Sequence, residues 1–230
     1  MNSGFSNCDY EYKKIKMRYH KIPDETVRRL PVYFRALRLS SGQGWESISS
    51  KALADFVGVH PWQIRKDFSY FGDFGIPGVG YNIAKLKKQI GGILKLTGEN
   101  KVVLVGVGNL GSALLAYPGF GLYGFKIVEA FDNDREKIGR KLNDIVIKDV
   151  CEIATLRNRG IQLAIIAVPL EAAQSVAEAL VAAGVKGILN FSPYNIVVPN
   201  KVKLINIDIA TELAQLPYYT QSGRVETQKQ

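Results

Sequence analysis

The spacing of apolar side chains changes near residue 100. Before that point, apolar residues recur every three or four positions, which predicts helices. The first begins after Pro23 and breaks at Ser40–Gly44. The second is capped by Ser49 or Ser50, has Leu53, Phe56 and Val57 on its inner face and ends at Gly58, and two more span 61–71 and 82–96. Four glycines between residues 72 and 80 then predict a tight hairpin, or wing, after the third helix.

Beyond residue 100, short and unbroken apolar runs predict strands that alternate with helices. The predicted strands are 102–107, 126–131, 161–168, 186–191 and 203–208, and the predicted helices are 171–183 and 211–222. Strands that are apolar throughout are typical of a parallel sheet covered on both faces. The predicted fold class is therefore α/β, with an N-terminal winged helix-turn-helix domain and a C-terminal Rossmann-like parallel-sheet domain.

The same patterns divide the chain into segments. We predict a flexible basic arm at 1–20, a winged-helix DNA-binding domain at 21–81, a linking helix at 82–98, a Rossmann NAD(H)-binding domain at 99–210, a C-terminal helix at 211–222 and a tail at 223–230.

Charge supports this division. The chain carries a net charge of +9, with 30 Lys and Arg against 21 Asp and Glu. Residues 1–97 hold 16 of the basic and 8 of the acidic residues, so nearly all of the excess lies there. A basic segment joined to a nearly neutral one suggests a polyanion-binding module, although a basic face that only aids solubility has the same composition.

The third predicted helix has two distinct faces. Ile64, Phe68 and Phe71 share one face and are expected to pack inward. The opposite face offers amide, cationic, hydroxyl and phenol groups, which contact phosphates and base edges in a major groove. The residues that we predict to contact DNA are Arg29, Ser50, Lys51, Gln63, Arg65, Lys66, Ser69 and Tyr70. One such module reads few bases, so we expect a homodimer on palindromic double-stranded DNA.

A glycine motif follows the first strand of the second half. Residues 106–111 read Gly106, Val107, Gly108, Asn109, Leu110 and Gly111, which matches GxGxxG after an apolar strand and before a helix. The first glycine permits the tight turn, the second admits a pyrophosphate, and the third allows close helix–strand packing.

An acidic residue ends the next strand. Asp132 is placed to bind ribose hydroxyls and to repel a 2′-phosphate, which favours NAD over NADP. Other residues predicted along the crevice are Tyr117, Val168, Pro169, Phe191, Ser192 and Pro193.

The predicted second domain lacks an evident proton donor for hydride transfer. The two histidines, His20 and His60, both lie in the basic half, and little chain remains after Gly111 for a substrate domain. We therefore expect the nucleotide to be sensed and not consumed. The alternatives are an NAD-dependent oxidoreductase with a basic appendage, a repressor that responds to another nucleotide or a CoA ester, and a regulatory domain of the potassium-channel type.

Composition limits the remaining classes. The apolar runs are far shorter than the roughly 20 residues of a membrane helix. Cys8 and Cys151 are too few for a disulfide framework or a zinc site of the CxxC type. We therefore expect a cytoplasmic protein with no membrane segment and no metal.

Several segments together resemble the Rex family of redox-sensing transcriptional repressors. The segments are 28–37 (RRLPVYFRAL), 63–72 (QIRKDFSYFG), 78–81 (GVGY), 106–114 (GVGNLGSAL), 117–121 (YPGFG) and 187–191 (GILNF). The resemblance implies a homodimer that senses the NADH/NAD+ ratio. It would bind operator DNA when free or NAD+-bound and release it with NADH.

The resemblance also implies roles for single residues. Tyr117 would lie near the nicotinamide, and Asp208 would contact Tyr117 in one redox state and Arg35 in the other. The helix at 211–222 would be swapped between subunits. In the family the wing usually carries a basic residue where this chain has Pro77, so we expect weaker minor-groove contact unless Lys51 or the arm compensates.

Overall fold

The structure is a computed structural model that describes residues 22–76, 78–157 and 159–221. The chain divides into two compact units, which meet between Thr97 and Gly98 in the sequence. The predicted arm at 1–20, the tail at 223–230 and Pro77 of the wing lie outside the described residues. The predictions made for them are therefore not tested by the structure.

The first unit is a helical bundle with a small antiparallel sheet. Its elements are α1 (Asp24–Gly42), β1 (Ser47–Ile48), α2 (Ser50–Val57), α3 (Pro61–Ser69), β2 (Tyr81–Asn82) and α4 (Ile83–Ile93). α1 packs against α2 and α4, α2 packs against α3, and β1 pairs antiparallel with β2. The wing closes through an antiparallel bridge between Ile76 and Gly80.

Local sequence signals set the ends of α2 and α3. The Ser49 side chain accepts a hydrogen bond of 3.0 Å from the backbone N–H of Ala52, which caps α2. Gly58 ends this helix with a φ of 71°, a left-handed conformation that favours glycine. Pro61 occupies the first turn of α3, where its missing N–H costs nothing. These three predictions are confirmed.

Four details of the first unit differ from the sequence predictions, and one of them is that α4 ends at Ile93, before the predicted residue 96. α1 continues to Gly42 through the expected break, and the Ser40 hydroxyl donates to the carbonyl of Ala36 at 3.0 Å within the helix. Phe56 is 43% exposed, because its ring packs edge-on against Trp45 at the surface and not into the core. α3 ends at Ser69, two residues before the predicted end.

The core of the first unit lies between α1, α3 and α4. Ile64, Phe68 and Phe71 are buried, as the helical spacing predicted. Leu86 of α4 is fully buried too. A Cβ at Gly91 would lie 3.4 Å from the ring of Phe34, an ordinary van der Waals distance, so α4 lies directly against α1 at this position.

The second unit is a doubly wound sheet. Its strands are β3 (Asn100–Val105), β4 (Phe125–Asp132), β5 (Lys141–Leu142), β6 (Ile145–Asp149), β7 (Leu163–Ile166), β8 (Gly187–Asn190) and β9 (Lys203–Asn206). Its helices are α5 (Asn109–Leu115), α6 (Leu170–Ala182), α7 (Ile209–Ala214) and α8 (Leu216–Gln221), with 3₁₀ helices at Pro118–Tyr123 and Val150–Leu156.

The strand order is β5-β6-β4-β3-β7-β8-β9, and every neighbouring pair is parallel except β5 with β6. Alternate residues of β3 point to opposite faces of the sheet. Val103 and Val105 join the core cluster that includes α6, whereas Val102 and Leu104 join the cluster that includes α5. The predicted α/β class is thus confirmed.

Besides the two 3₁₀ helices, two features of the second unit were not predicted. The β5–β6 hairpin turns through Asn143 and Asp144, which both have positive φ angles of 47° and 64°. β6 contains the β-branched run Ile145–Ile147, but β5 offers only Leu142 before the turn, so the signal is too short to predict a hairpin. The single helix expected at 211–222 is instead divided into α7 and α8, because Pro217 is tolerated only in the first turn of a new helix.

Truncation of Leu86 tests the packing of α4 on the first unit. Leu86→Ala removes a fully buried side chain and should lower the free energy of unfolding by about 2–5 kcal/mol. Urea unfolding followed by tryptophan emission measures this unit selectively, because both tryptophans, Trp45 and Trp62, belong to it. The exposed Lys88→Ala is the matched control, and equal midpoints for the two variants would contradict the packing.

Candidate functional site

The turn after β3 depends on glycine at two positions. Gly106 has a φ of 93°, and a Cβ on it would lie 2.8 Å from Cγ1 of Val168. A Cβ on Gly111 would collide with the carbonyl group of Gly106. Both positions therefore exclude side chains, and α5 begins directly against the end of β3, as the GxGxxG motif predicted.

A cleft of about 740 Å³ opens where this turn meets the carboxyl ends of the central strands. It is of the size that binds small ligands and cofactors. Eight of the residues predicted to bind the nucleotide line it: Gly106, Gly108, Asn109, Leu110, Asp132, Val168, Pro169 and Phe191. Asp132 ends β4 and Phe191 follows β8, which places them toward opposite ends of the cleft, because β3 and β7 lie between those strands.

Asp132 is held by the loops around it. Its Oδ2 accepts a hydrogen bond of 2.7 Å from the backbone N–H of Val107, and its Oδ1 accepts one of 2.9 Å from that of Asp134. Lys137 Nζ lies 3.4 Å from Oδ2. Burial opposes ionisation, but these contacts outweigh it and hold the pKa of Asp132 below its usual value. The carboxylate therefore stays charged and also ties β4 to the glycine turn.

Five other predicted ligand residues do not line the cleft in this structure. Val107 and Gly111 are buried behind the turn, where they shape it. Tyr117 is 57% exposed, with its ring over Gly119 and edge-on to that of Phe120 at 5.3 Å. The other two, Ser192 and Pro193, follow Phe191 in the loop after β8. A role for these five in ligand binding stays a prediction.

Asn190 shapes that loop and was not predicted as a site residue. It is fully buried, its Nδ2 donates to the carbonyls of Ser192 and Tyr194 at 3.1 and 3.0 Å, and its Oδ1 accepts from the N–H of Ser192 at 2.9 Å. These bonds hold Phe191 at the cleft. A polar residue that ends an apolar strand is the signal that could have identified it.

One wall of the cleft was also missed. Ala172, Ser175, Val176 and Ala179 line it from α6, and Val150 and Cys151 line it from the first turn of the 3₁₀ helix at Val150–Leu156. Small residues at helical spacing look like ordinary packing in a sequence. Nothing in the pattern distinguishes a ligand wall from a helix–sheet contact.

The candidate nucleic-acid interface of the first unit is built around a buried carboxylate. Asp67 has no exposed surface, and its oxygens accept hydrogen bonds from Thr26 Oγ1 at 3.0 Å and from Tyr33 Oη at 2.6 Å. Arg29 donates from Nε at 2.7 Å and from Nη2 at 2.9 Å, and Gln63 Nε2 donates at 2.8 Å. This network joins α3 to α1.

Charge and hydrogen bonding reinforce one another in this network. Burial opposes ionisation of Asp67, but the hydrogen bonds from Arg29, Tyr33, Gln63 and Thr26 keep its pKa below the usual value. Burial and the hydrogen bond to Asp67 raise the pKa of Tyr33, so it remains a neutral donor. Arg29 and Gln63, both predicted to contact DNA, thus also donate to the carboxylate that joins α3 to α1.

The other predicted DNA contacts lie on or beside α3. Arg65 Nη1 donates to Ser50 Oγ at 3.0 Å, and Lys66 Nζ lies 5.9 Å from the ring centroid of Trp62. Ser69 Oγ donates to the carbonyl of Lys66 at 2.7 Å. Lys51 at the start of α2 is exposed, and Tyr70 follows α3 half-buried. Their contact with DNA stays a prediction.

The two charged residues proposed for the switch were also located. Arg35 lies exposed on α1. Asp208 caps α7, where its Oδ1 accepts from the N–H groups of Ala210 and Thr211 at 3.1 Å each and its Oδ2 accepts from Thr211 Oγ1 at 2.6 Å. These bonds lower the pKa of Asp208. The structure does not test the exchange of partners that the resemblance implies.

Two other kinds of site are absent from the described ranges. No helix there is long and apolar enough to cross a membrane. No group of three or more His, Cys, Asp or Glu side chains among the same residues could hold a metal ion.

Comparison with known families matches the two units separately. Residues 21–69 match a family described as a DNA-binding protein N-terminus, and residues 97–194 match the CoA binding domain family. Together these observations define the class of protein: a transcriptional regulator in which a helical DNA-binding unit is joined to a Rossmann-like unit with a nucleotide-sized cleft.

Whole-chain relatives identify the family. The redox-sensing transcriptional repressor Rex of Roseiflexus sp. (strain RS-1) is 44% identical over 203 residues, which cover 88% of this chain and 92% of that protein. Rex of Carboxydothermus hydrogenoformans is 45% identical, over 88% of this chain and 98% of that protein. The chain belongs to the Rex family of redox-sensing transcriptional repressors. It is a regulator and not an enzyme, as predicted.

Solved structures agree with this assignment. A crystal structure of RSP in complex with beta-NAD+ and operator DNA has a TM-score of 0.83 and 33% identity, and it covers 90% of this chain and 96% of that chain. RSP in complex with beta-NADH has a TM-score of 0.79 and 32% identity, with 90% and 98% covered. RSP is itself described as a Rex-family repressor.

The Asp67 network makes a prediction about stability and pH. Folding lowers the pKa of Asp67. At pH values above the ordinary carboxyl pKa of about 4, the ionised side chain therefore stabilises the first unit, and this stabilisation is lost as the pH falls through the lowered pKa. Asp67→Asn should therefore cost about 3 kcal/mol at pH 7 and reduce the acid sensitivity of unfolding.

Urea unfolding at pH 7 and at lower pH, followed by tryptophan emission, measures both effects. The exposed Asp55→Asn on α2 is the control. If Asp67→Asn behaved like this control at both pH values, the network would not stabilise the fold.

Proposed function

We propose that this protein binds a palindromic operator duplex as a homodimer, through its first unit, when free or bound to NAD+. NADH bound in the cleft of the second unit then releases it, so the protein senses the NADH/NAD+ ratio. The observation that carries the proposal is the glycine-lined cleft with Asp132 at one end and an apolar wall at the other. Such a regulator acts where the chromosome lies, so we assign it to the cytoplasm.

The length of the cleft suits a dinucleotide. Strands β4 and β8 are separated by two strands, and neighbouring strands lie about 4.8 Å apart, so the carboxyl ends of these strands are about 14 Å apart. Asp132 would receive the ribose of the adenosine half at one end. The nicotinamide would then lie toward Val168, Pro169 and Phe191 at the other.

The apolar end provides a physical basis for redox discrimination. The nicotinamide ring is cationic in NAD+ and uncharged in NADH, and burying a cation without a counter-ion costs free energy. Val168, Pro169 and Phe191 offer no counter-ion, so this end should favour the reduced ring. NADH shifts the protein toward a DNA-releasing conformation only if it binds that conformation more tightly than the DNA-binding one.

The proposed switch has a free-energy cost at Asp208. To contact Tyr117 in one redox state and Arg35 in the other, its carboxylate would have to share or leave the N–H groups of α7 that it caps. The loss of a helix cap costs about 1 kcal/mol. The new contact of Asp208 in each state has to offset that amount.

The proposed dimer is supported by the apolar residues of the last two helices. Ile209, Leu213, Leu216, Tyr218 and Tyr219 are each at least half exposed in the single chain. Large exposed apolar side chains in one short segment are typical of an interaction surface. Exchange of this segment between subunits would bury them, and the resulting dimer would carry two copies of α3, as a palindrome requires.

Titration of NADH into a protein–operator complex tests the proposal. An operator can be selected from random palindromic duplexes with the full-length protein, and fluorescence anisotropy then measures binding with no ligand, with NAD+ and with NADH. We expect NADH, and not NAD+, to weaken binding, and operator DNA to weaken NADH binding by the same factor. Equal affinity for DNA with the two coenzyme forms would contradict the redox mechanism.

The same titration distinguishes the ligand classes. Because residues 97–194 match the CoA binding domain family, CoA and acetyl-CoA serve as competitors against bound NADH, whose fluorescence reports its displacement. If CoA displaced NADH and also released the DNA, the sensed ligand would be a CoA compound.

Gly108 allows the cleft to be altered without altering the fold. Its φ is −80° and a Cβ there would meet no described atom within 4 Å, so Gly108→Ala should leave stability unchanged. The added methyl group lies where the ligand approaches the turn, and it should weaken NADH binding about tenfold or more. Gly98→Ala, also free of close neighbours, is the matched control for NADH fluorescence titration.

A further inference from the structure

The amide of Gln63 is held in one orientation. Gln63 and Asp67 lie one turn apart on α3, and Gln63 Nε2 donates to Asp67 Oδ1 at 2.8 Å. Asp67 is fully buried and is fixed in turn by Thr26, Arg29 and Tyr33 of α1. The anchor of the Gln63 side chain is therefore part of the core and does not move with the surface.

Chemistry decides which end of the amide faces this anchor. An ionised carboxylate can only accept hydrogen bonds, so the NH₂ group of Gln63, and not its oxygen, must point to Asp67. One N–H is used there. The carbonyl oxygen and the second N–H remain for a partner outside the unit, and Gln63 is half-buried and not covered.

We propose that Gln63 reads an adenine in the major groove of the operator, and that Asp67 is the positioning residue that fixes its amide for this purpose. The inference rests on the proposed function, because it requires that α3 enter the groove. Among the base edges of the major groove, adenine alone pairs an N7 acceptor with an N6 donor, and an amide meets both with one N–H and its oxygen.

Fixing the amide sharpens this choice. A freely rotating glutamine can turn its NH₂ group toward the O6 and N7 acceptors of guanine. In the held orientation the oxygen of Gln63 would face guanine O6, and two acceptors repel one another. A side chain that is already ordered also loses less conformational entropy on binding.

Lys66 of the same helix offers a contrast. Its ammonium group lies near the Trp62 ring and is a point charge without an acceptor, so it cannot match the paired acceptor and donor of adenine, and we expect it to contact phosphate. Removing Lys66 should weaken binding to every duplex alike. Removing the amide of Gln63 should change which base is preferred.

The test uses the full-length protein and an operator that it selects from random palindromic duplexes. Each adenine of one half-site is replaced in turn by 7-deazaadenine, which lacks the N7 acceptor. For the unaltered protein we expect a loss in affinity of about tenfold at one adenine. Gln63→Met, of similar size but without hydrogen bonds, should show less than a twofold loss at that same adenine.

Two further variants separate positioning from packing. Asp67→Asn should lose the sensitivity to 7-deazaadenine while it retains NADH binding in the second unit. Lys66→Ala should bind every duplex more weakly yet keep the sensitivity. If Asp67→Asn fails to fold, Gln63→Met decides the role of Gln63, and guanine placed at the sensitive position tests the positioning role. An amide fixed by Asp67 should bind guanine there more weakly than 7-deazaadenine, and equal or tighter binding would overturn that role.

The outcomes are distinct. An equal loss for the unaltered protein and for Gln63→Met, or no sensitive adenine, would overturn the role of Gln63. Full sensitivity in a folded Asp67→Asn would overturn the positioning role of Asp67. A protein that selects no duplex at all would overturn the proposed function, and with it this inference.

Discussion

The close approach of two backbone segments at Gly106 and Gly111 is the constraint on which the second unit depends. A Cβ at Gly111 would meet the carbonyl of Gly106, and a Cβ at Gly106, whose φ is positive, would meet Ala167 and Val168. Both residues must therefore be glycine for α5 to start where it does. This start leaves the carboxyl ends of β3, β4 and β7 uncovered. The cleft is consequently a product of backbone geometry, and the side chains around it only select what enters.

The first unit meets a different constraint, that of a buried charge. Placing a carboxylate in a protein core is costly unless hydrogen bonds and an opposite charge compensate for lost water. Asp67 receives donors from Thr26, Arg29, Tyr33 and Gln63, three of which belong to α1. Because those donors converge only when α1 and α3 are correctly docked, the network specifies one arrangement of these helices, which purely apolar contacts do less strictly.

The sequence was most informative where one residue type has one physical use. Glycines at 106, 108 and 111, the cap at Ser49 and the stop at Gly58 were all predictable from it, as were most strands of the parallel sheet. Hydrogen-bond partners that are distant in the sequence were not predictable. No local pattern indicates that Asp67 is buried, since its neighbours Arg65 and Lys66 are exposed, and its partners on α1 are 34 to 41 residues away.

The two borders of the large sheet limit how copies of this chain can join. One border is β5, two residues long and followed by the turn at Asn143 and Asp144; the other is β9, four residues long and beginning at Lys203. Short edge strands that carry lysine are poor templates for adding another strand. These edges therefore disfavour the addition of strands from another molecule. Self-association is left to helical surfaces, which can form a closed oligomer with a fixed number of subunits.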